Sequence, residues 1–428
     1  MSTPSPSQIP RGFRFAATAC GLKKTGGLDL ALIASDTPAT AAAVFTTNLV
    51  QAAPVTISRE HMRKAASHMR AIVVNSGNAN CCTGREGMAA TCATAAKIAR
   101  EIGCQPEEVI VCSTGVIGVP MKVERILAAA HALAASRVAR AEKFWEVTHA
   151  IMTTDTRPKW AAAACCIGGK TVRVLGCAKG AGMIHPNMAT MLAFLVTDAS
   201  ISPNLLRRAL REVTAKTFNA ITVDGDTSTN DTLAVLANGA SGAAMISGLV
   251  GRGFSPHKSG RNRKGASAPE ADYRRFVSAL EKVCRELALA IVADGEGAQR
   301  VIEIDVRGAR SDRDADRIAR TIAHSPLVKT ALAGADPNWG RILAAAGRAG
   351  VKFNPGRARI WLAGIPVFRD GRPLDFDERA AHNKLLAPYI KILFELGGHE
   401  SRTTNHAARI YSCDFTAEYV RINASYRT

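Results

Sequence analysis

Short apolar runs separated by turn residues fill the first third of the chain. Runs in which apolar positions alternate or cluster predict strands at residues 13–20, 30–35, 41–46, 71–75 and 108–113. Between the last two strands, Thr83 and Glu86 have the spacing of a capping box, and apolar residues follow at helical intervals. The alanine-rich residues 122–152 predict a further helical region.

The same mixture continues to the end of the chain. A strand at 171–177 leads through a loop of glycine, proline and asparagine at 180–187 to a continuously apolar strand at 190–197, which we expect to be buried on both faces. Ser202 and Pro203 resemble the cap and first turn of a helix. Further elements are predicted at 272–292 (helix), 301–306 and 359–363 (strands). The pattern predicts an α/β protein.

Composition is that of a folded protein. Of 428 residues, 47% are hydrophobic and 21% charged, and at roughly 150 residues per domain this length allows two to three domains or one large two-lobed enzyme. The uncharged stretch 232–251 is broken by Asn-Gly and Ser-Gly pairs, which predict turns rather than a membrane span. Eleven cysteines, an odd number without a C-x-x-C pair, favour reduced thiols. We expect a soluble, cytoplasmic protein without a secretory signal.

The net charge of +19 raises the question of an anionic partner. Five basic residues and no acidic residue lie within 251–269, which predicts an exposed basic insertion. This segment leaves open a non-enzymatic protein that binds nucleic acid. Aromatic residues are 5% of the chain, however, and no RNA-binding or zinc-finger signature accompanies the charge. Solvated surface arginine is the simpler interpretation.

Common catalytic and binding motifs fail on spacing. The sequence Gly169-Lys170-Thr171 lacks the glycine that a phosphate-binding loop needs five positions earlier, and it predicts a hairpin turn instead. No dinucleotide fingerprint, zinc-binding helix or serine-hydrolase elbow occurs. Residues 224–231 begin like a calcium loop but lack its closing glutamate, which favours a polar turn.

One stretch carries a strong resemblance. The sequence Lys179-Gly-Ala-Gly-Met-Ile-His-Pro-Asn-Met-Ala-Thr-Met-Leu192 resembles the self-cleavage segment of the ornithine acetyltransferase family of arginine biosynthesis, the bifunctional glutamate N-acetyltransferases or ArgJ proteins. Similar motifs follow the order of that family at residues 52–55, 75–80, 113–118, 152–156, 223–231, 335–341 and 419–428. Residues 408–413 depart from it, because a more Trp-Gly-like run is expected there.

The resemblance implies a fold and a processing event. The family has a four-layer αββα sandwich of the self-processing N-terminal-nucleophile type. Cleavage between Ala189 and Thr190 would give an α chain of residues 1–189 and a β chain of residues 190–428, with two of each in a heterotetramer. Thr190 would then carry both a nucleophilic hydroxyl and an α-amine, of pKa about 7.7, that can take its proton.

The resemblance also implies the site. Thr114 and Gly115 would form the oxyanion hole. Substrate binding maps to Thr156, Lys179, Thr190, Glu296, Asn423 and Thr428. Within this set, Lys179 suits an α-carboxylate and Glu296 the δ-ammonium of ornithine, while Asn423 and Thr428 suit polar contacts.

The implied activity is ping-pong transfer of an acetyl group from N-acetylornithine to glutamate through acetyl-Thr190, without a cofactor or metal. Whether acetyl-CoA also serves as donor stays open, since no CoA motif is visible. A further alternative is an N-terminal-nucleophile aminopeptidase or amidohydrolase that releases the acyl group to water. Small-molecule substrates are expected, with no membrane partner.

Overall fold

Two β-sheets and eleven helices build the part of the chain that the computed structural model describes, which is residues 3–24, 26–185, 191–247, 268–397 and 406–425. The first sheet is formed by eight strands: β1 (Phe13–Thr18), β2 (Leu30–Phe45), β3 (Met69–Asn78), β4 (Val109–Val116), β5 (Lys159–Ile167), β6 (Lys170–Lys179), β7 (Leu192–Thr197) and β8 (Thr232–Ala237). Their order is β4-β3-β2-β8-β7-β6-β5, with β1 paired to β2.

The second sheet belongs to the C-terminal part of the chain. Its strands are β9 (Val301–Ala309), β10 (Arg359–Leu362), β11 (Ile365–Arg369), β12 (Arg372–Pro373), β13 (Tyr389–Glu395) and β14 (His406–Cys413). They lie in the order β12-β11-β10-β13-β9-β14, and β13 and β9 run parallel.

The helices divide between the two sheets: α1 (Ala53–Ala65), α2 (Gly84–Ile102), α3 (Val123–Ala135), α4 (Ala141–Ala150), α5 (Pro203–Lys216), α6 (Ala268–Ala293), α7 (Asp312–Ala323), α8 (Pro326–Ala333), α9 (Trp339–Gly347), α10 (Glu378–Leu385) and α11 (Ala417–Ser425). Apolar side chains of α7, α8 and α9 pack on the second sheet in one core. The first sheet uses α2 and α3 on one side and α5 and α6 on the other.

Strand β2 belongs to both halves of the first sheet. Residues 30–34 pair with β3, residues 40–45 pair with β8, and the register shifts between Ala34 and Ala39. The prediction of two strands at 30–35 and 41–46 was therefore wrong. The polar residues between them mark a bend in one strand that changes partners, and a sequence pattern cannot distinguish such a bend from a turn.

Alternating side chains show that the two halves of this sheet pack face to face. In β7, Leu192, Phe194 and Val196 lie in a core shared with β1, β3 and β4, whereas Ala193 and Leu195 pack toward α5 and α6. All six residues of β7 are buried, as a continuously apolar strand predicts. The resulting layers are helices, half-sheet, half-sheet and helices, which confirms the expected four-layer αββα sandwich.

Two local predictions were wrong. The helical region 122–152 is two helices, α3 and α4, because Val138 leaves the helix to form a bridge with Phe15 of β1. Thr83 precedes α2 but caps no helix N–H; its hydroxyl donates to Oδ1 of Asn80 at 2.8 Å instead.

The predicted hairpin turn and the reduced thiols are confirmed. Gly168 and Gly169, both at positive φ, form the hairpin turn between β5 and β6. All eleven cysteines are free thiols. Of the predicted basic insertion 251–269, residues 251–267 lie outside the described residues, whereas 268 and 269 belong to the first turn of α6. Within the described ranges, no helix is both long and apolar enough to cross a membrane.

Candidate active site

A buried lysine lies where several elements of the sandwich end. Lys179 is the last residue of β6 and is 4% exposed. Its ammonium donates hydrogen bonds to Oγ1 of Thr153 at 2.7 Å and to Oγ1 of Thr114 at 3.2 Å. Burial lowers the pKa of this ammonium, while the nearby Asp155 carboxylate opposes the shift. Lys179 therefore joins β4, β6 and the loop before β5.

The end of β4 requires glycine. Gly115 has a φ of +133°, a conformation that favours glycine. A Cβ at this position would lie 2.4 Å from the carbonyl carbon of Gly77 in the adjacent parallel strand β3. Because the Lys179 ammonium donates to Thr114 Oγ1, the hydroxyl hydrogen of Thr114 remains available as a donor. The two predicted oxyanion residues thus sit on a tightly packed edge of the site.

A buried ion-pair triad lies beside Lys179. The fully buried Lys159 ammonium is 2.6 Å from Oδ1 of Asp155 and 2.5 Å from Oδ2 of Asp294. Oδ1 of Asp155 also accepts the backbone N–H of Gly180 at 2.7 Å. Burial alone would raise the pKa of Asp155, but the Lys159 and Lys179 ammonium groups reverse the shift and bring the pKa to about 2. The triad fixes Gly180, the residue after Lys179.

The triad also binds a predicted substrate residue. The backbone N–H of Thr156 donates to Oδ2 of Asp294 at 3.1 Å, and the Thr156 hydroxyl donates to Oδ1 of the same carboxylate. Asp294 follows the end of α6, so these bonds tie the loop before β5 to that helix. The hydroxyl of Thr156 keeps its acceptor lone pairs for another group.

Glu296 lies two residues after Asp294 in the sequence. Its carboxylate accepts a hydrogen bond from Nδ2 of Asn423 in α11 at 2.7 Å, and its backbone N–H donates to the carbonyl of Ala181. A Cβ on Gly182 would lie 2.5 Å from the Glu296 carboxylate, so a side chain there would displace it. The negative charge of Glu296 is close enough to raise the pKa of Lys179, against the larger effect of burial.

Two aspartates contact the chain on either side of residues 186–190. Asp224 accepts the backbone N–H groups of Met183 at 2.5 Å and Ile184 at 2.9 Å. Asp231 accepts the N–H of Met191 at 2.9 Å. Residues 186–190, including Ala189 and Thr190, lie outside the described residues, and so does Thr428.

A histidine pair extends this contact to the second sheet. Nδ1 of His185 is 3.0 Å from Nε2 of His324, which follows α7. Burial lowers the pKa of both rings, that of His324 to about 4. The contact gives His185 a hydrogen-bonding partner in the fold.

The described part of the predicted site comes together in one place. Thr114, Gly115, Thr156, Lys179, Glu296 and Asn423 all lie around the ends of β4, β6, α6 and α11. Sequence reasoning missed the triad and underestimated the loop 223–231, which it interpreted as a polar turn. Lys159 gives no signal, because it begins an apolar strand. Asp224 and Asp231 were visible in a motif but without a role. In the described ranges, no three His, Cys, Asp or Glu side chains form a metal-binding group.

Comparison with known proteins finds relatives that match nearly the whole chain. The sequence model described as the ArgJ family matches residues 14–428. A protein of Symbiobacterium thermophilum named arginine biosynthesis bifunctional protein ArgJ is 45% identical over 421 residues, 98% of each chain. A protein of the same name from Thermus thermophilus is 44% identical over 421 residues, 98% of this chain and 99% of the relative.

Solved structures give partial matches. The crystal structure of arginine biosynthesis bifunctional protein ArgJ from Bacillus halodurans shares 38% identity, with a TM-score of 0.46, over 54% of this chain and 98% of that chain. Ornithine acetyltransferase from Mycobacterium tuberculosis, complexed with ornithine, shares 36% identity, with a TM-score of 0.37, over 42% of this chain and 93% of that chain.

Proposed function

The chain belongs to the ArgJ family and is an enzyme of arginine biosynthesis, and we propose that it transfers the acetyl group of N-acetylornithine to glutamate through an ester on Thr190. The family assignment rests on sequence similarity along nearly the whole chain. The roles of individual residues are those that the family resemblance implies, and the geometry around Lys179 supports them.

The first step is self-cleavage. The Thr190 hydroxyl attacks the carbonyl carbon of Ala189, the C–N bond breaks, and the nitrogen takes a proton to become the α-amine of Thr190. Water then hydrolyses the Ala189 ester, which leaves a carboxyl group on Ala189 and restores the Thr190 hydroxyl. The products are an α chain of residues 1–189 and a β chain of residues 190–428. The new amine lies within reach of its own hydroxyl and serves as its base.

The observation that carries this proposal is the hydrogen bond from Lys179 to Thr114 next to the start of β7. In the β6–β7 pair, Lys179 is opposite Leu192, which is two residues after Thr190. The buried Lys179 ammonium, the Thr114 hydroxyl and the beginning of β7 are therefore neighbours. This arrangement supplies a donor for an oxyanion beside the chain position where the proposed nucleophile occurs.

Acetyl transfer consists of two half-reactions with the same pattern of attack and release. The Thr190 hydroxyl, losing its proton to the α-amine, attacks the acetyl carbonyl of N-acetylornithine. The C–N bond breaks, and ornithine leaves after its nitrogen takes that proton. The α-amine of glutamate then attacks the acetyl ester, and Thr190 recovers its hydroxyl as N-acetylglutamate leaves. Each attack produces a tetrahedral oxyanion, for which hydrogen-bond donors are commonly worth a few kcal/mol.

Thr114 and Gly115 stabilise that oxyanion. Because Lys179 donates to the oxygen of Thr114, the hydroxyl hydrogen of Thr114 is directed away from Lys179 and is free to bind the oxyanion. The ammonium also adds positive charge in a buried place, where electrostatic effects are stronger than in water. This role complements the predicted contact of Lys179 with a substrate carboxylate.

Glu296 and Asn423 recognise the amino-acid side chain. The Glu296 carboxylate accepts a hydrogen bond from Asn423, and Gly182 leaves room for it because a side chain there would displace it, so its position is set before substrate arrives. A fixed carboxylate pairs with the δ-ammonium of ornithine. Thr156, held by Asp294, and Thr428 complete the proposed set of substrate-binding residues.

The wider assignments follow from the family. Its relatives are named bifunctional, and we propose a second activity in which acetyl-CoA replaces N-acetylornithine as acetyl donor. We also propose two α and two β chains per molecule. A cytoplasmic location agrees with the eleven free thiols.

The test is an assay of wild type, Thr190→Ala and Thr190→Ser with N-acetylornithine and glutamate. We expect cleavage and transfer in the wild type, neither in Thr190→Ala, and both at a reduced rate in Thr190→Ser, which keeps a hydroxyl. A Thr190→Ala protein that transfers acetyl at the wild-type rate would refute the mechanism. Loss of acetyl to water at a rate independent of glutamate would instead identify an amidohydrolase.

A further inference from the structure

One loop contacts both sides of the proposed cleavage point. Residues 222–232, here called the brace loop, contact Met183 and Ile184 before this point and Met191 after it. At the first end, the N–H of Val223 and the hydroxyl of Thr222 both donate to the carbonyl of Ile184, each at 2.9 Å. At the other end, the N–H of Thr232 donates to the carbonyl of Met191 at 3.1 Å.

Two of the three carboxylates in the brace loop, those of Asp224 and Asp231, complete these contacts in different ways. Both oxygens of Asp224 accept hydrogen bonds: Oδ2 from the N–H of Met183 and from the Tyr419 hydroxyl at 3.3 Å, and Oδ1 from the N–H groups of Ile184 and Asp226. The Asp224 carboxylate thus accepts four hydrogen bonds, two of them from Met183 and Ile184.

Asp231 uses one oxygen. Its side chain is fully buried, with the residue 1% exposed, and Oδ1 accepts the N–H of Met191. Oδ2 has no hydrogen-bond partner among the described residues. Burial raises the pKa of Asp231 well above its usual value, which favours a neutral carboxylic acid. A neutral acid presents one carbonyl acceptor and one O–H, the same pattern as an amide.

We propose that Asp224 and Asp231 are positioning residues for self-cleavage, which hold the chain on both sides of the Ala189–Thr190 bond so that the hydroxyl meets the carbonyl. The inference rests on the proposed function. Ile184 and Met191 are seven positions apart in the sequence, so fixing both restricts the backbone between them. Misplacing reacting atoms by about 1 Å can cost about 100-fold in rate.

The difference between the two carboxylates gives a specific expectation for conservative variants. Asp231→Asn keeps an acceptor for Met191 and replaces the O–H by an N–H, so cleavage should stay close to the wild-type rate. Asp231→Leu removes the acceptor. Asp224→Asn turns an N–H₂ group toward donors that need an acceptor. We expect the Asp231→Leu and Asp224→Asn variants to cleave about 10- to 100-fold more slowly.

The matched control is Asp226→Asn. Asp226 is an exposed residue of the same loop, and its carboxylate makes no hydrogen bond to residues 183–185 or Met191. This variant should cleave like the wild type. Thermal unfolding of each variant in the Thr190→Ala background compares their folds in the same uncleaved state.

The experiment follows loss of the full-length precursor with time by intact mass, for the wild type and the four variants. The order wild type, Asp226→Asn and Asp231→Asn ahead of Asp231→Leu and Asp224→Asn supports the proposal. Wild-type rates for both slow variants would overturn it while leaving the proposed function intact. So would an Asp231→Asn variant as slow as Asp231→Leu, because the acid itself would then be required. A wild-type precursor that never cleaves would overturn both.

If Asp231→Leu fails to fold in the Thr190→Ala background, the comparison of Asp224→Asn with Asp231→Asn decides. Both replace a carboxylate by an amide of the same size, and a purely structural role for the loop predicts no consistent difference between them in cleavage at equal thermal stability. Slower cleavage by Asp224→Asn supports the proposal, and equal rates overturn it.

Discussion

The Lys159 ammonium lies fully buried between the carboxylates of Asp155 and Asp294. Removing one member of such a group leaves charge that is buried without a partner, which costs far more than loss of a surface ion pair. Because Asp155 also accepts the N–H of Gly180 and Asp294 that of Thr156, the triad fixes the backbone next to Lys179 and at the predicted substrate residue Thr156.

We therefore expect Lys159→Met to lower the free energy of unfolding by about 3–5 kcal/mol, measured by chemical denaturation. The control is Lys97→Met, which removes a partly exposed ion pair with Glu101 on α2 and should cost less than about 1 kcal/mol. If the two variants lose the same stability, the triad is not the anchor described above.

Gly115 gives a second test. Gly115→Ala must place a Cβ 2.4 Å from the backbone of Gly77, so β4 has to move and the Thr114 donor moves with it. We expect a loss of about 100-fold or more in acetyl transfer, because one misplaced oxyanion donor costs that much. Gly118→Ala, where φ is also positive but no atom lies within 4 Å of the added Cβ, should retain most activity. Similar kcat values for the two variants would count against the oxyanion role.

The elements show where a sequence pattern is sufficient and where it is not. The continuous apolar run of β7 predicted a strand buried on both faces, because no other arrangement satisfies such a run. The single bent strand β2 was predicted as two strands, because its continuity depends on pairing with two different strands, β3 and β8. The break between α3 and α4 was missed for a related reason: Val138 is removed from the helix by its bridge to Phe15, a tertiary contact.

The burial of His324 beside His185 leads us to expect that the stability of the protein depends on pH. Burial lowers the pKa of His324 from 6.5 to about 4. Between these two pH values the ring is neutral in the folded protein but protonated in the unfolded chain. Its contribution to stability is complete above pH 6.5 and is lost as the pH falls toward 4.

Accordingly, His324→Gln should make the free energy of unfolding fall less steeply between about pH 6.5 and pH 4 than in the wild type. Denaturant titrations at several pH values measure this slope. His68→Gln, at an exposed position, should leave the slope unchanged. Equal slopes for wild type and His324→Gln would show that the buried histidine does not control acid stability.

Considered as a whole, the first sheet is shared across the proposed break. Strand β6 precedes residue 189 and β7 follows it, yet the two pair along their length, and β2 pairs in the same way with β8. The Lys159–Asp294 ion pair crosses the break as well. If the chain is cleaved as proposed, these contacts hold the two products together without a covalent link.

This predicts that the cleaved α and β chains elute together in size-exclusion chromatography without denaturant, and that they separate only under conditions that also unfold the sheet, followed by circular dichroism. Their separation under native conditions, with the signal of the sheet retained, would contradict the shared-sheet description.

The candidate site could be predicted only in part, because some of its contacts join residues that are far apart in the sequence. The predicted site residues Thr114, Lys179, Glu296 and Asn423 come from a family resemblance that extends along nearly the whole chain. The ion-pair triad of Lys159, Asp155 and Asp294 could not be found in this way. Asp294 lies 135 positions from Lys159, and only the folded sandwich brings them together. A buried lysine at the start of an apolar strand has no pattern of its own.

The central claim is that Thr190 becomes an N-terminal nucleophile that carries the acetyl group. The most direct measurement is the intact mass of the β chain after mixing with N-acetylornithine in the absence of glutamate, and again after glutamate is added. We predict a β chain that begins at Thr190, gains the mass of one acetyl group on Thr190, and loses it to form N-acetylglutamate. A cleaved, active enzyme whose β chain never carries acetyl would contradict the account.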